Sequence, residues 1–142
     1  MIDGVKYLEQ IAKLEKIINN RLNDAEHWMG VAFRITSVLT PDKVQSSGSQ
    51  QKMAEAVERC LDIAREICES VDKLYIEKRE RISKIEQLDI VEYDVLHKIY
   101  VEYDKYPTYD EVAEAYKKSN AWVSTQHTNA IKQLETLLNE TE

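Results

Sequence analysis

The residues able to carry acid-base, nucleophilic or metal chemistry are few and scattered. His27, His97 and His127 stand far apart, there is no glycine-rich phosphate loop, and no Ser, Cys or carboxylate pair takes a nucleophile or metal-ligand spacing. Cys60 and Cys68 fall in one segment of helical periodicity, about 12 Å apart along its axis, so they cannot bridge within the chain. Both read as ordinary buried thiols, Cys60 on an apolar stripe. His127 reads as a hydrogen-bonded core histidine. No enzyme activity, metal or cofactor is expected. What remains is binding chemistry near the C-terminus, where Ser119, Asn120, Ser124, Thr125 and Thr128 recur at helical spacing between Lys117, Lys118 and Lys132.

Those residues must be positioned by helices. The chain has only 3 Gly and 2 Pro in 142 residues, too little punctuation for a many-stranded fold. With 32% charged and 43% hydrophobic residues it is too apolar for a disordered chain and too interrupted by charge for a membrane span. No basic stretch followed by an apolar run opens it, because Lys6, Glu9, Lys13 and Glu15 intervene. A cytoplasmic protein, in a host cell if the resemblance described below holds, is expected.

From Ile2 to about Leu39, Leu8, Ile11, Leu14, Ile18, Leu22, Ala25, Met29 and Ala32 mark a long amphipathic helix. It is expected to fray or bend after Gly30, where β-branched residues follow. Thr40 to Gln50 has turn and linker composition. From Gln51 to about Leu88, apolar positions such as Met53, Val57, Cys60, Ala64, Ile67 and Val71 alternate in threes and fours, a heptad-like seam. Residues 1–88 are therefore expected to form an antiparallel, coiled-coil-like hairpin and to serve as an oligomerisation element; the alternative is a parallel dimer. Two helices bury one stripe each, so a further surface is expected to cover them, with Trp28 and Tyr75 as candidates. Lys78, Arg79, Arg81 and Lys84, interleaved with Glu77 and Glu80, read as a solvated face with ion pairs one turn apart; the alternative is a phosphate-binding ridge.

Residues 89–142 shorten into three pieces. Asp89 with Glu92 has the form of an N-cap opening a helix through Val95, Leu96, Ile99 and Tyr100. Thr108 and Glu111 form a capping box before Val112, Ala113 and Tyr116. After the turn Lys117-Lys118-Ser119, Ser119 caps a last helix with Val123, His127, Ala130, Leu134 and Leu137 inside and Asn120, Ala121, Ser124, Thr125 and Thr128 outside. Trp122, beside that outer face, either stacks on a partner or covers the core edge. The small Ala113 and the apolar Val123 stand where a helix-turn-helix needs a close helix approach and a plug.

The segment TYDEVAEAYKKSNAWVSTQHTNAIKQL, Thr108 to Leu134, resembles the promoter-reading region four of the principal bacterial sigma factors, in register and without gaps. The N-terminal helix, VQSSGS at Val44 to Ser49 and the following KMAEAV resemble small phage and prophage transcriptional regulators of the RinA and ArpU type, over nearly the whole chain. These resemblances imply an all-α protein with a three-helix, sigma-like C-terminal domain that regulates transcription by binding DNA as a homodimer. They put base and phosphate contacts on Asn120, Ala121, Ser124 and Thr125, with Lys117, Lys118 and the Ser119 backbone at the helix N-terminus and Thr128 and Lys132 further along.

The chain departs from the sigma pattern in having no Lys or Arg between Ser119 and Ile131. An arginine bidentate to guanine, worth about 1–3 kcal/mol of discrimination, has no counterpart there. Of the net charge of -7, the C-terminal part carries most, with five Lys or Arg against eleven Asp or Glu in residues 89–142. Salt-sensitive, weak DNA binding is therefore expected. The alternative is a module that keeps the sigma-like fold but docks RNA polymerase or another protein through its acidic surface.

Overall fold

The computed structural model describes residues 1–38 and 47–140, and among them it contains helices and turns and no strand. Two long helices come first, α1 (Gly4–Val38) and α2 (Ser47–Ile85), followed by α3 (Ile90–Leu96), α4 (Tyr109–Tyr116) and α5 (Asn120–Glu140). No helix among the described residues is long and apolar enough to cross a membrane. The part of the expected linker before Ser47 lies outside the described residues, while Ser47 to Gln50 already belong to α2.

The fraying expected after Gly30 does not occur, since α1 continues to Val38. A Cβ at Gly30 would meet nothing within 4 Å, so the glycine answers no packing need. The N-terminus of α1 is capped by Asp3, whose Oδ1 accepts the N–H groups of Val5 and Lys6 at 3.0 and 3.2 Å. Two further orphan donors are met from the far end of the chain. Gly4 N–H donates to Glu135 Oε2 at 2.9 Å and Ile2 N–H to Asn139 Oδ1 at 3.1 Å. Gly4 allows this approach, since a Cβ there would stand 3.0 Å from Glu135 Cγ and 3.2 Å from Ile131 Cγ2.

The described residues fall into two compact units, Met1–Glu15 with Ile76–Glu142, and Lys16–Tyr75. Leu88, where the sequence suggested a boundary, lies inside the first. The start of α1 shares a unit with the end of α2, and the end of α1 with the start of α2, so the two helices run antiparallel within one chain.

In the Lys16–Tyr75 unit the seam is Ile18, Ala25 and Ala32 from α1 and Cys60, Ala64 and Val71 from α2, all buried. Leu22 and Met29, expected on the α1 stripe, are instead exposed, because the buried line there runs every seventh residue and leaves them to one side. Cys60 is buried as expected, but Cys68 is exposed, having the phase of the flank rather than the seam.

The other unit has a larger core. Leu8 and Ile11 of α1, Ile85 of α2, Leu96 of α3 and Ala130, Ile131, Leu134 and Leu138 of α5 form one cluster. Each fully buried leucine here contributes about 1.5–3 kcal/mol by leaving water. The expected Leu137 is only half-buried and Leu138 takes the core position, since α5 must turn its face slightly to meet α1 as well as α3. Arg81 is part of the packing rather than a free cation. Its Nη1 donates to the Tyr7 carbonyl at 2.9 Å, its Nη2 pairs with Glu77 at 3.1 Å, and its guanidinium lies 4.5 Å from the Tyr7 ring centroid.

Candidate nucleic-acid interface

Asp89 precedes α3, with its carbonyl accepting from Tyr93 N–H at 2.8 Å, but its side chain makes no cap bond. After Leu96 the helix widens for one turn, His97–Val101, and closes with Glu102 N–H donating to the His97 carbonyl at 2.9 Å. Thr108 caps α4 as the sequence suggested, its hydroxyl accepting Glu111 N–H at 3.3 Å, though the return bond from Glu111 is not made.

The turn between α4 and α5 is built by backbone bonds. Lys117 adopts the left-handed conformation, φ 56° and ψ 42°, its N–H donates to the Glu114 carbonyl at 3.1 Å, and Lys118 N–H donates to the Ala113 carbonyl at 3.0 Å. That pair of bonds is a Schellman closure with lysine where glycine is usual. Ser119 then caps α5, its hydroxyl accepting Trp122 N–H at 3.1 Å.

Beneath the turn, Val95, Val112, Ala113 and Val123 form a separate buried cluster, edged by Ile99, Tyr106, Tyr109, Tyr116 and Trp122. Ala113 and Val123, expected as the contact and the plug, are 4% and 0% exposed. Thr108 to Leu134 is thus two short packed helices and not a continuous rod. Trp122 lies over the core edge with its ring 5.2 Å from that of Tyr116, and Lys118 Nζ sits 6.0 Å from the indole centroid.

A second polar layer ties α3 to its neighbours. Tyr116 donates to Asp94, which also receives Lys98 Nζ at 3.1 Å. Burial raises the pKa of Asp94, but the hydrogen bonds from Tyr116 and Lys98 outweigh it and hold the carboxyl below its ordinary range. Tyr100 OH and His127 Nε2 are 2.6 Å apart with their rings stacked at 5.7 Å, and burial lowers the His127 pKa. His127 is hydrogen-bonded as its position implied, but it is half-buried and belongs to neither core cluster. Tyr103 OH donates to Glu15 Oε2 at 2.9 Å, and burial together with that carboxylate pushes the phenol up to about 12.

The outer face of α5 is open. Asn120, Ala121, Ser124, Thr125, Thr128 and Lys132 are all exposed, as are Lys117, Lys118 and Ser119 in the turn. Several of their polar groups are already engaged. Thr128 Oγ1 donates to the Ser124 carbonyl at 2.9 Å, the Ser119 hydroxyl is held by the cap, and Asn120 Nδ2 donates to Asp110 Oδ1 at 2.6 Å. Asp110 was not singled out from the sequence, since the turn, not a helical repeat, brings it to Asn120. Among the described residues no three His, Cys, Asp or Glu side chains are placed to hold a metal ion. No family model, curated protein or solved structure matches this chain.

Proposed function

We propose that the chain is a transcriptional regulator that binds DNA through α4, the Lys117–Ser119 turn and α5, which act as a sigma-like helix-turn-helix. The observation that carries this reading is the Val95, Val112, Ala113 and Val123 cluster, which holds α4 and α5 together while leaving Asn120, Ser124, Thr125 and Thr128 exposed on one helix face. A helix supported from behind and polar in front is what the major groove admits. Lys117 and Lys118, with the first N–H groups of α5, supply phosphate contacts at its N-terminal end, and Lys132 supplies one further along. The resemblance of the chain to phage regulators of the RinA and ArpU type gives the biological setting of the proposal.

About three phosphate contacts per chain predict a salt slope of roughly -2 to -3 for a monomer and twice that for a dimer. A mobility-shift titration at low salt measures this. The variant with Lys117→Glu and Lys118→Glu together is expected to lose DNA binding while keeping its helical content. Undiminished affinity in that variant would remove the contact set.

One observation favours a second reading. The Asp110 carboxylate beside Asn120, with exposed Glu111 and Glu114 on the same short helix, puts negative charge at the end of α5 where a phosphate would sit. On this reading the sigma-like unit docks a basic protein surface such as one on RNA polymerase. Absence of any DNA shift below roughly 50 mM salt would select it.

A further inference from the structure

The large exposed apolar side chains of the Lys16–Tyr75 unit, Val38 excepted, gather on one side of the hairpin. On α1, Leu22, Met29 and Phe33 are 38%, 54% and 74% exposed; on α2, Leu61 and Tyr75 are both 42% exposed, with the exposed Cys68 between them. At about 100° per residue, the α1 group lies roughly 40–80° round from Ala25 and the α2 group roughly 60–100° round from Cys60, in the same rotational sense. Two antiparallel helices are related by a twofold axis perpendicular to the plane they share. The same sense on each therefore places both groups on the same side of the pair.

The charges flanking this face are complementary in a particular order. Lys16, Glu26 and Arg34 border it on α1, and Asp72, Arg65 and Glu58 border it on α2, all exposed. The buried lines, each stepping by seven residues and matched in reverse order as Ile18 with Val71 and Ala25 with Ala64, set the register of the two helices. In that register Lys16, Glu26 and Arg34 lie within one to three residues of the level of Asp72, Arg65 and Glu58. Within one hairpin these charges stand on opposite outer edges of the face.

We infer that the face is covered by a second copy of the same chain, related by a twofold axis parallel to the helices, so that α1 of each copy lies on α2 of the other. This arrangement encloses Leu22, Met29, Phe33, Leu61 and Tyr75 and brings each of these six charges near its opposite, with Arg65 also paired to Asp62 of its own chain at 2.8 Å. The other closed arrangement, α1 on α1, sets Glu26 against Glu26 and Lys16 against Arg34, which repel. The face measures about 28 Å by about 20 Å, or roughly 600 Å² per copy. That is roughly 1,200 Å² in total, at the low end of specific interfaces, where weak and reversible association is found.

The inference deepens the dimeric form of the proposed regulator, but its test contains no DNA, so it stands or falls separately from DNA binding. Sedimentation equilibrium of the full chain between about 1 and 100 μM is expected to reach twice the 16.6 kDa chain mass. Phe33→Asp is expected to leave a monomer. Glu26→Arg alone and Arg65→Glu alone each act twice in the dimer and are expected to weaken it about tenfold, whereas the two together restore it to within about threefold. Circular dichroism of these surface variants checks that the helices persist. A wild-type chain that stays monomeric overturns the inference, as do single reversals without effect or a helical double variant that fails to recover.

Discussion

The two compact units are built from different side chains. Lys16–Tyr75 buries three alanines, a cysteine, an isoleucine and a valine along its seam, while the unit holding α3, α4 and α5 buries leucines, isoleucines and valines in two clusters. Small seam residues let two helices approach closely but remove little apolar surface from water. Large ones make a core that stands by itself. Both units leave large apolar side chains exposed, Leu22, Met29, Phe33, Val38, Leu61 and Tyr75 in Lys16–Tyr75 and Ile76, Ile90 and Val91 in the other. One region closes large side chains into two clusters, and the other closes mainly small ones along a seam.

The largest test of this contrast is truncation in the region with the two clusters. Leu134→Ala removes a fully buried side chain touching both ends of the sequence and is expected to cost about 2–5 kcal/mol in denaturant titration. A loss below about 1 kcal/mol would mean this core is no better packed than the alanine seam. Overfilling comes next. Ala113→Leu, where α4 meets α5, is expected to cost about 1–3 kcal/mol, and unchanged stability would show that the two helices do not depend on a close approach there.

Acid sharpens the comparison further, because the region with the two clusters also half-buries a titrating group. His127 is held neutral by burial, its pKa below the ordinary 6.5, and the unfolded chain takes up the proton first. Its contribution is fully present above that pH and is lost progressively as pH falls below it. His127→Gln is expected to flatten the dependence of unfolding free energy on pH between about 7 and 5; an equally steep profile in the variant would assign the dependence elsewhere. The smallest effect belongs to the turn. Lys117→Gly relieves a left-handed lysine and is expected to add up to about 1 kcal/mol. A destabilised variant would mean that the lysine side chain holds the turn more than its backbone strains it.

Local pattern made much of this protein legible. Capping by Thr108 and Ser119, the Ala113 and Val123 contacts, the hydrogen-bonded His127 and the α2 seam all follow from residue type at helical spacing, because a helix repeats its face every three or four residues regardless of what covers it. The open polar face of α5 was readable for the same reason. Other features joined residues that no periodicity links. Glu135 and Asn139 cap α1 from the opposite end of the sequence, Asp94 is held by Tyr116 and Lys98, and Asp110 reaches Asn120 across the turn.

The division of the long hairpin was likewise a tertiary matter. Its seam looks continuous in sequence, yet Leu8, Ile11 and Ile85 join α3 and α5 in one core while Ala25 and Ala64 are buried in the other unit and belong to neither cluster. The sequence by itself determined which side of each helix would turn inward, though not each residue on it, since Leu22 and Met29 lie outside and Leu138 replaces Leu137. Only the folded chain decided which inward faces would meet each other, because hydrophobic burial has no direction and takes whichever surface the packed helices bring close.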